Sequence, residues 1–312
     1  MYKPDDYRAA TGSRPGGTLE NDRRLYGWAF NAYIVGERML YTLSAKSFQH
    51  ELAPDKGEPT RSLFDLPAYA HEELGLNGVN LHTNLLAGWS AKDIDHLRDC
   101  ADKSSCPCLL LTESKPMPLA SEDDDELKAA LERMNTVVRV GNRLGCSAVA
   151  LTIADAPDDD WTRDLVVTSI KRIVQQSERL EMNVLLQPAA TPEVIGSTPD
   201  SVTGLIREIG GFRVGSFPDF QTAAATDDQS AYLKSIVPYA SAVTAPILES
   251  SKQSNGANYN LKTCVQALQL VGFDGNLSIE WRPGNNVSAD PTDFIISTRD
   301  ALEQAFSEDS QE

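Results

Sequence analysis

Positive charge is scarce in this chain. Lysine and arginine total 28 against 45 aspartates and glutamates, a formal net charge of −17. A field of that sign repels phosphate backbones and anionic lipid, so nucleic-acid and membrane partners are not expected. Cysteine is sparse and odd in number: Cys100, Cys106, Cys108, Cys146 and Cys264. In a chain of 312 residues that argues against a disulfide framework. Cys106 and Cys108 flank one proline, which is not the usual zinc spacing, and lead into Leu109-Leu110-Leu111; they read as buried thiols. No apolar run approaches the ~18 residues of a membrane span. The segment after Arg23-Arg24 is broken by Gly27 and Asn31, with no small-residue cleavage site behind it. No signal peptide is read there, and a cytoplasmic location is expected.

What is present suits a globular chain with a large core: 41% hydrophobic and 23% charged residues. Residues 1–38 are set apart. The first 22 are polar, with Pro4, Gly12, Pro15, Gly16 and Gly17, and read as a flexible arm. Arg23–Arg38 carries Leu25, Trp28, Phe30, Tyr33 and Ile34, and reads as an element that plugs the core or packs on a partner subunit. Residues 307–312 form an acidic tail.

Between them, residues 39–306 alternate short apolar runs with longer amphipathic ones. Strands are expected at 39–45, 78–81, 108–112, 147–153, 183–187, 212–217, 242–248 and 276–279. Helices are expected at 66–74, 91–103, 123–144, 161–180, 199–209, 229–237, 261–271 and 291–306. The helix over 123–144 has Ser121 as its N-cap, acids in its first turn, Arg143 in its last and Gly145 as its stop. Apolar strands without polar alternation fit a sheet covered on both faces. Alternating strands and helices argue for parallel α/β architecture, and eight units for closure into a (β/α)8 TIM barrel with an N-terminal extension. A doubly wound open sheet is the alternative, weakened because no glycine-rich dinucleotide fingerprint follows the first strand.

In such a barrel the chemistry sits where the strands end. The strand ends offer Ser44, Lys46, Asn80, His82, Glu113, Thr152, Asp155, Gln187, Asp219, Gln221, Thr244, Glu249, Glu280 and Arg282. Asp219 in Pro218-Asp219-Phe220 and Glu280 in Ile279-Glu280-Trp281 form the leading pair, since each directly follows an apolar strand. Two carboxylates there suit either a hard cation or acid/base work. His50, His71 and His96 fall in helices or loops and read as structural.

The residues carry a family likeness. Leu63-Phe64-Asp65-Leu66-Pro67, Glu72-Glu73-Leu74-Gly75-Leu76-Asn77-Gly78-Val79, Arg143-Leu144-Gly145-Cys146, Pro218-Asp219-Phe220 and Gly272-Phe273-Asp274-Gly275…Ser278-Ile279-Glu280 together resemble the sugar phosphate isomerase/epimerase family, xylose isomerase-like TIM barrels. The resemblance spans residues 39–306. It implies a sugar or polyol isomerase or epimerase acting on a small hydroxy-carbonyl substrate. It also implies a divalent metal held by Glu, Asp, His and Glu at the ends of strands five to eight.

Asp219 and Glu280 match the second and fourth of these ligands, and serve in that reading as catalytic and metal-binding residues. Gln187 stands where the family has Glu, and Thr244 where it has His. Gln187 would be a third, neutral oxygen ligand. Such a set favours Mg2+ or Mn2+ held weakly, or no metal, and is poor for zinc. His82, Gln187, Thr244, Arg282 and Glu113 are the expected contacts to a carbohydrate or polyol. The alternative is a barrel that has lost its chemistry and serves as a ligand-binding or partner subunit. A homo-oligomer is compatible with either reading.

Overall fold

A computed structural model describes residues 39–54, 57–248, 259–283 and 290–308. The expected arm and plug over 1–38, as well as Glu249, lie outside the described residues. Eight parallel strands form one sheet: β1 (Leu40–Ser44), β2 (Val79–His82), β3 (Cys108–Thr112), β4 (Ala148–Thr152), β5 (Asn183–Gln187), β6 (Val214–Ser216), β7 (Ala242–Leu248) and β8 (Asn276–Arg282). Their order is β6-β5-β4-β3-β2-β1-β8-β7. Isolated parallel bridges, Ser216 to Ala240 and Asp219 to Thr244, join the two ends into a ring. The fold is a TIM barrel.

The β6–β7 seam is thin: β6 ends at Ser216, and after Asp219 the chain turns into the short helix Phe220–Ala224. Thr244 N donates to Pro218 O at 2.9 Å. Two residues on, facing the same neighbour, stands Pro246, which has no N–H to continue the ladder. On its other edge β7 pairs with β8 along its whole length, from Ala242–Asn276 to Leu248–Arg282.

The period-two alternation of a strand sorts side chains onto two faces. Outward-facing Leu43, Val79, Leu81, Leu111, Val149, Leu151, Val184, Leu186, Val243 and Ile279 join the helices in the main core. A second, small cluster comprises Leu110, Ala148, Ala150, Leu185, Phe217 and Ala242. These are inward positions, and half of them are alanines. Polar residues share that inner face: Thr42, Asn80, Asn276 and Ser278 are all buried. Asn80 Nδ2 donates to Thr42 Oγ1 at 3.0 Å and to Asn276 Oδ1 at 3.3 Å. The barrel interior is therefore a hydrogen-bonded floor rather than an aliphatic plug.

Helix ends follow local chemistry. The long helix Asp124–Leu144 is capped by Asp123, whose carboxylate accepts from the N–H groups of Asp125 and Glu126. Ser121, the cap expected from sequence, lies two residues early and donates to Glu126 instead. Gly145 closes the helix at φ 86°, a left-handed conformation that glycine adopts without a Cβ clash. The last helix, Thr292–Glu308, runs two residues past the expected start of the tail. β6 is shorter than expected because Phe212 lies outside it, largely exposed.

Candidate functional site

At the C-terminal end of the strands a cavity of about 190 Å3 opens, and ten of the strand-end residues anticipated from sequence line it. They are Ser44, Lys46, Asn80, His82, Glu113, Thr152, Gln187, Thr244, Glu280 and Arg282, joined by Thr112, Ser114, Pro116, Phe217 and Ser278. Inward alternation supplies part of this set: 44 and 46 on the first strand and its extension, 80 and 82 on the second, and 278, 280 and 282 on the last. The volume is below the ~300 Å3 at which drug-sized pockets begin, so the occupant must be small.

Glu280 is set into the cavity by its neighbour. Trp281 faces the other way, stacked on Phe294 with ring centroids 4.6 Å apart, and its backbone N–H donates to Ser47 Oγ at 2.8 Å. Glu280 is buried, with 5% of its surface exposed. Its Oε2 accepts from Ser44 Oγ at 2.8 Å and lies 3.9 Å from His82 Nε2. Its Oε1 accepts from Arg282 Nε at 2.7 Å and lies 3.8 Å from Lys46 Nζ. Burial pushes the carboxyl up, but Arg282, Lys46 and His82 outweigh it and leave Glu280 at about 2.

Arg282 does more than flank Glu280. Its Nη1 donates to Gln221 Oε1 at 2.8 Å, and its Nη2 pairs with Asp219 Oδ2. One planar guanidinium thus cross-links the two acids that the sequence nominated for a shared cation. Asp219 Oδ1 is engaged as well: it accepts from the N–H groups of Gln221 and Thr222, at 2.7 and 3.1 Å, as N-cap of the short helix Phe220–Ala224. Asp219 and Glu280 do converge, but through Arg282, and Asp219 stands behind it rather than among the lining residues. Arg282 itself, expected from sequence to meet ligand hydroxyls, has its donors on protein oxygens.

The remaining expected residues divide by partner. Gln187 Oε1 accepts from Thr152 Oγ1 at 3.3 Å across β4 and β5. His82 is held by Ser44 Oγ at 3.3 Å. Burial pushes its imidazole down to about 4, with Lys46 and Arg282 adding to that and Glu280 opposing it, so it is neutral at pH 7. Glu113 is buried, accepting from Arg133 Nε at 2.7 Å, Thr83 Oγ1 at 3.0 Å and Lys115 N at 3.1 Å. It is a neutralised wall residue. Asp155 accepts from Thr191 and is not among the lining residues. Asn80 Oδ1 is buried with no donor among the described residues. Cys106, Cys108 and Cys146 are buried away from the lining set, and burial pushes the first two thiols up to about 12.

The donor set does not fit the divalent metal implied by the family likeness. Both carboxylates are tied to a fixed cation, and the other two ligand positions are an amide and a hydroxyl. Among the described residues no three His, Cys, Asp or Glu side chains are grouped to hold one ion. Two of these facts were missed by sequence reasoning: the role of Arg282 and the lining by Thr112 and Ser278. The role of Arg282 and the lining by Ser278 were available from period-two spacing, since 278, 280 and 282 must share a face.

A barrel whose strand ends carry a small polar cavity belongs to a recognisable class, and the family match agrees. The chain belongs to the xylose isomerase-like TIM barrel family, whose profile matches residues 68–298. Among solved structures it is similar to an L-ribulose 3-epimerase, with TM-score 0.74 and 11% identity over 88% of this chain and 96% of that one. It is also similar to D-psicose 3-epimerase from Clostridium cellulolyticum H10, with TM-score 0.70 and 12% identity over 86% and 99% of the two chains. A third is 3-keto-D-glucoside 4-epimerase from E. coli, with TM-score 0.67 and 14% identity over 86% and 100%. At these identities the likeness speaks to the fold. No curated protein matches the chain in sequence. Among the described residues no helix is long and apolar enough to cross a membrane.

Proposed function

We propose that this barrel binds a small, uncharged carbohydrate or polyol in its C-terminal cavity without metal-assisted proton transfer. The observation that carries this reading is the Arg282 cross-link. It leaves the cavity charge-balanced: Asp219 and Glu280 against Arg282 and Lys46, Glu113 against Arg133, and a neutral His82. What faces the space is a set of neutral donors and acceptors, Thr112, Ser114, Thr152, Gln187, Thr244 and Ser278. Such groups recognise hydroxyls, and among the described residues the two cations that line the cavity, Lys46 and Arg282, each have a carboxylate beside them. The names of the structural neighbours, which concern ketoses and a keto-glucoside, point to the same ligand class.

A second reading keeps an isomerase or epimerase activity. It is favoured by one group: neutral His82 faces the cavity and could accept a proton. Glu280, at about 2, is a weaker base than His82, at about 4, and both lie well below the working pH that suits a general base.

The test is a thermal-shift and calorimetric panel of free ketoses, polyols and their phosphates. A ligand of the native state alone raises the melting midpoint, by roughly 2.7 kcal/mol of stability at a hundredfold excess over Kd. Free sugars should raise it and Gln187→Ala should abolish the rise. A response to phosphates alone, or to nothing, defeats the binding reading. Deuterium uptake at a carbon of any binding sugar in D2O would establish the second reading instead.

A further inference from the structure

We propose that Arg282 is this chain's own replacement for a divalent cation: a covalently attached positive charge seated between Asp219 and Glu280, which closes the site to metal. The proposal goes beyond the ligand reading and stands whether or not a sugar binds.

Three oxygens converge on the guanidinium from three directions. Glu280 Oε1 meets Nε, Gln221 Oε1 meets Nη1, and Asp219 Oδ2 meets Nη2. Two carboxylates and an amide carbonyl are the hard oxygen donors that Mg2+ and Mn2+ take. The arrangement is rigid on each side. Asp219 is fixed by capping a helix, and Glu280 by Ser44 and by the outward anchoring of Trp281. A guanidinium matches it because its donors are planar, fixed and always charged, and because it tolerates partial burial better than an ammonium.

The origin is visible in the spacing. Positions 280 and 282 lie on the same face of β8, so an arginine two residues beyond the buried glutamate necessarily points back into the barrel mouth. The chain thereby keeps the two acids converged with no soluble ion. The Gln187 and Thr244 positions, freed from any need to supply charge or nitrogen, are neutral.

Removing this built-in cation from the protein should create a cation site. The arms are wild type, Arg282→Ala, and the double variant Arg282→Ala with Asp219→Asn. Each is melted in EDTA, in Mg2+ and in Mn2+, and wild type is titrated with Mn2+ by electron paramagnetic resonance. Wild type should melt at the same midpoint in all three solutions and hold no tight Mn2+. Arg282→Ala should melt roughly 10 °C lower in EDTA, because an uncompensated buried carboxylate remains. It should recover part of that loss in Mn2+, and the double variant should recover none.

Tight stoichiometric Mn2+ in wild type overturns the proposal. So does an Arg282→Ala protein whose midpoint ignores both cations. If Arg282→Ala does not fold in EDTA, soluble protein obtained only when it is refolded with Mn2+ supports the proposal, and failure under both conditions counts against it. A charge-only structural role is separated by Arg282→Lys, which should be partly stable and, its ammonium still filling the seat, unresponsive to Mn2+.

Discussion

His82 and Glu280 lean on each other, and acid separates them. The imidazole is held near 4 in the folded protein, against an ordinary 6.5. Between those values the unfolded chain binds a proton that the native state refuses, so native stability is present above pH 6.5 and is lost as pH falls toward 4. The full loss is on the order of 3 kcal/mol at 1.36 kcal/mol per unit. Glu280 adds a second, lower window. Its carboxyl sits at about 2 against an ordinary 4.5, so its contribution is present above 4.5 and lost as pH falls through 2. Urea midpoints measured from pH 7 to pH 3 should fall in two stages, and His82→Gln should remove the upper one. A flat profile in wild type between pH 6.5 and 4 would contradict the assignment. At this scale the sequence was partly legible. It named Asp219, Glu280 and Arg282 but assigned the first two to a metal and the third to ligand. A residue-by-residue scan of strand ends does not ask what two residues of one strand do to each other. Glu280 and Arg282 had to be considered together.

β8 carries the site, and its start is fixed by a steric limit. Asn276 N donates to Ser241 O at 3.1 Å, which registers β8 against β7. Immediately before it, a Cβ on Gly275 would collide with Ser241 O and the ring of Phe273. Gly275→Ala should therefore cost about 1–3 kcal/mol through overpacking, read as a lowered urea midpoint at unchanged slope. An unchanged midpoint would mean that the turn yields freely. The elements themselves were plain in the sequence: β3, β5 and β7 and the helices over 91–103 and 199–209 have the expected bounds. Each is a strong run closed by a turn or cap residue. The errors fall where two signals compete. The strand was expected to end at Ile279, with Glu280, Trp281 and Arg282 following it, yet they extend β8 because β7 continues to pair beside them as far as Leu248. The short helix Phe220–Ala224 has no periodicity to announce it, and it exists because Asp219 caps it.

For the molecule as a whole, closure was predictable from the count of eight strand–helix units, but the quality of closure was not. Nor did the net charge of −17 predict a cavity in which each acid has a cationic neighbour. Bulk charge is set by surface residues, and the site by a few inward positions. The ring has a weak joint between β6 and β7, where two isolated bridges replace a ladder and Pro246 offers no N–H beyond them. Like a barrel hoop fastened by two rivets, the wall should part there first. Hydrogen–deuterium exchange should find the Thr244 amide released by openings too small to expose the amides that tie β7 to β8. Equal protection on both edges of β7 would show the joint to be as firm as the rest. Breathing at that joint moves Asp219 relative to Thr244, and so the same proline that weakens the wall gives the mouth of the cavity a direction in which to widen.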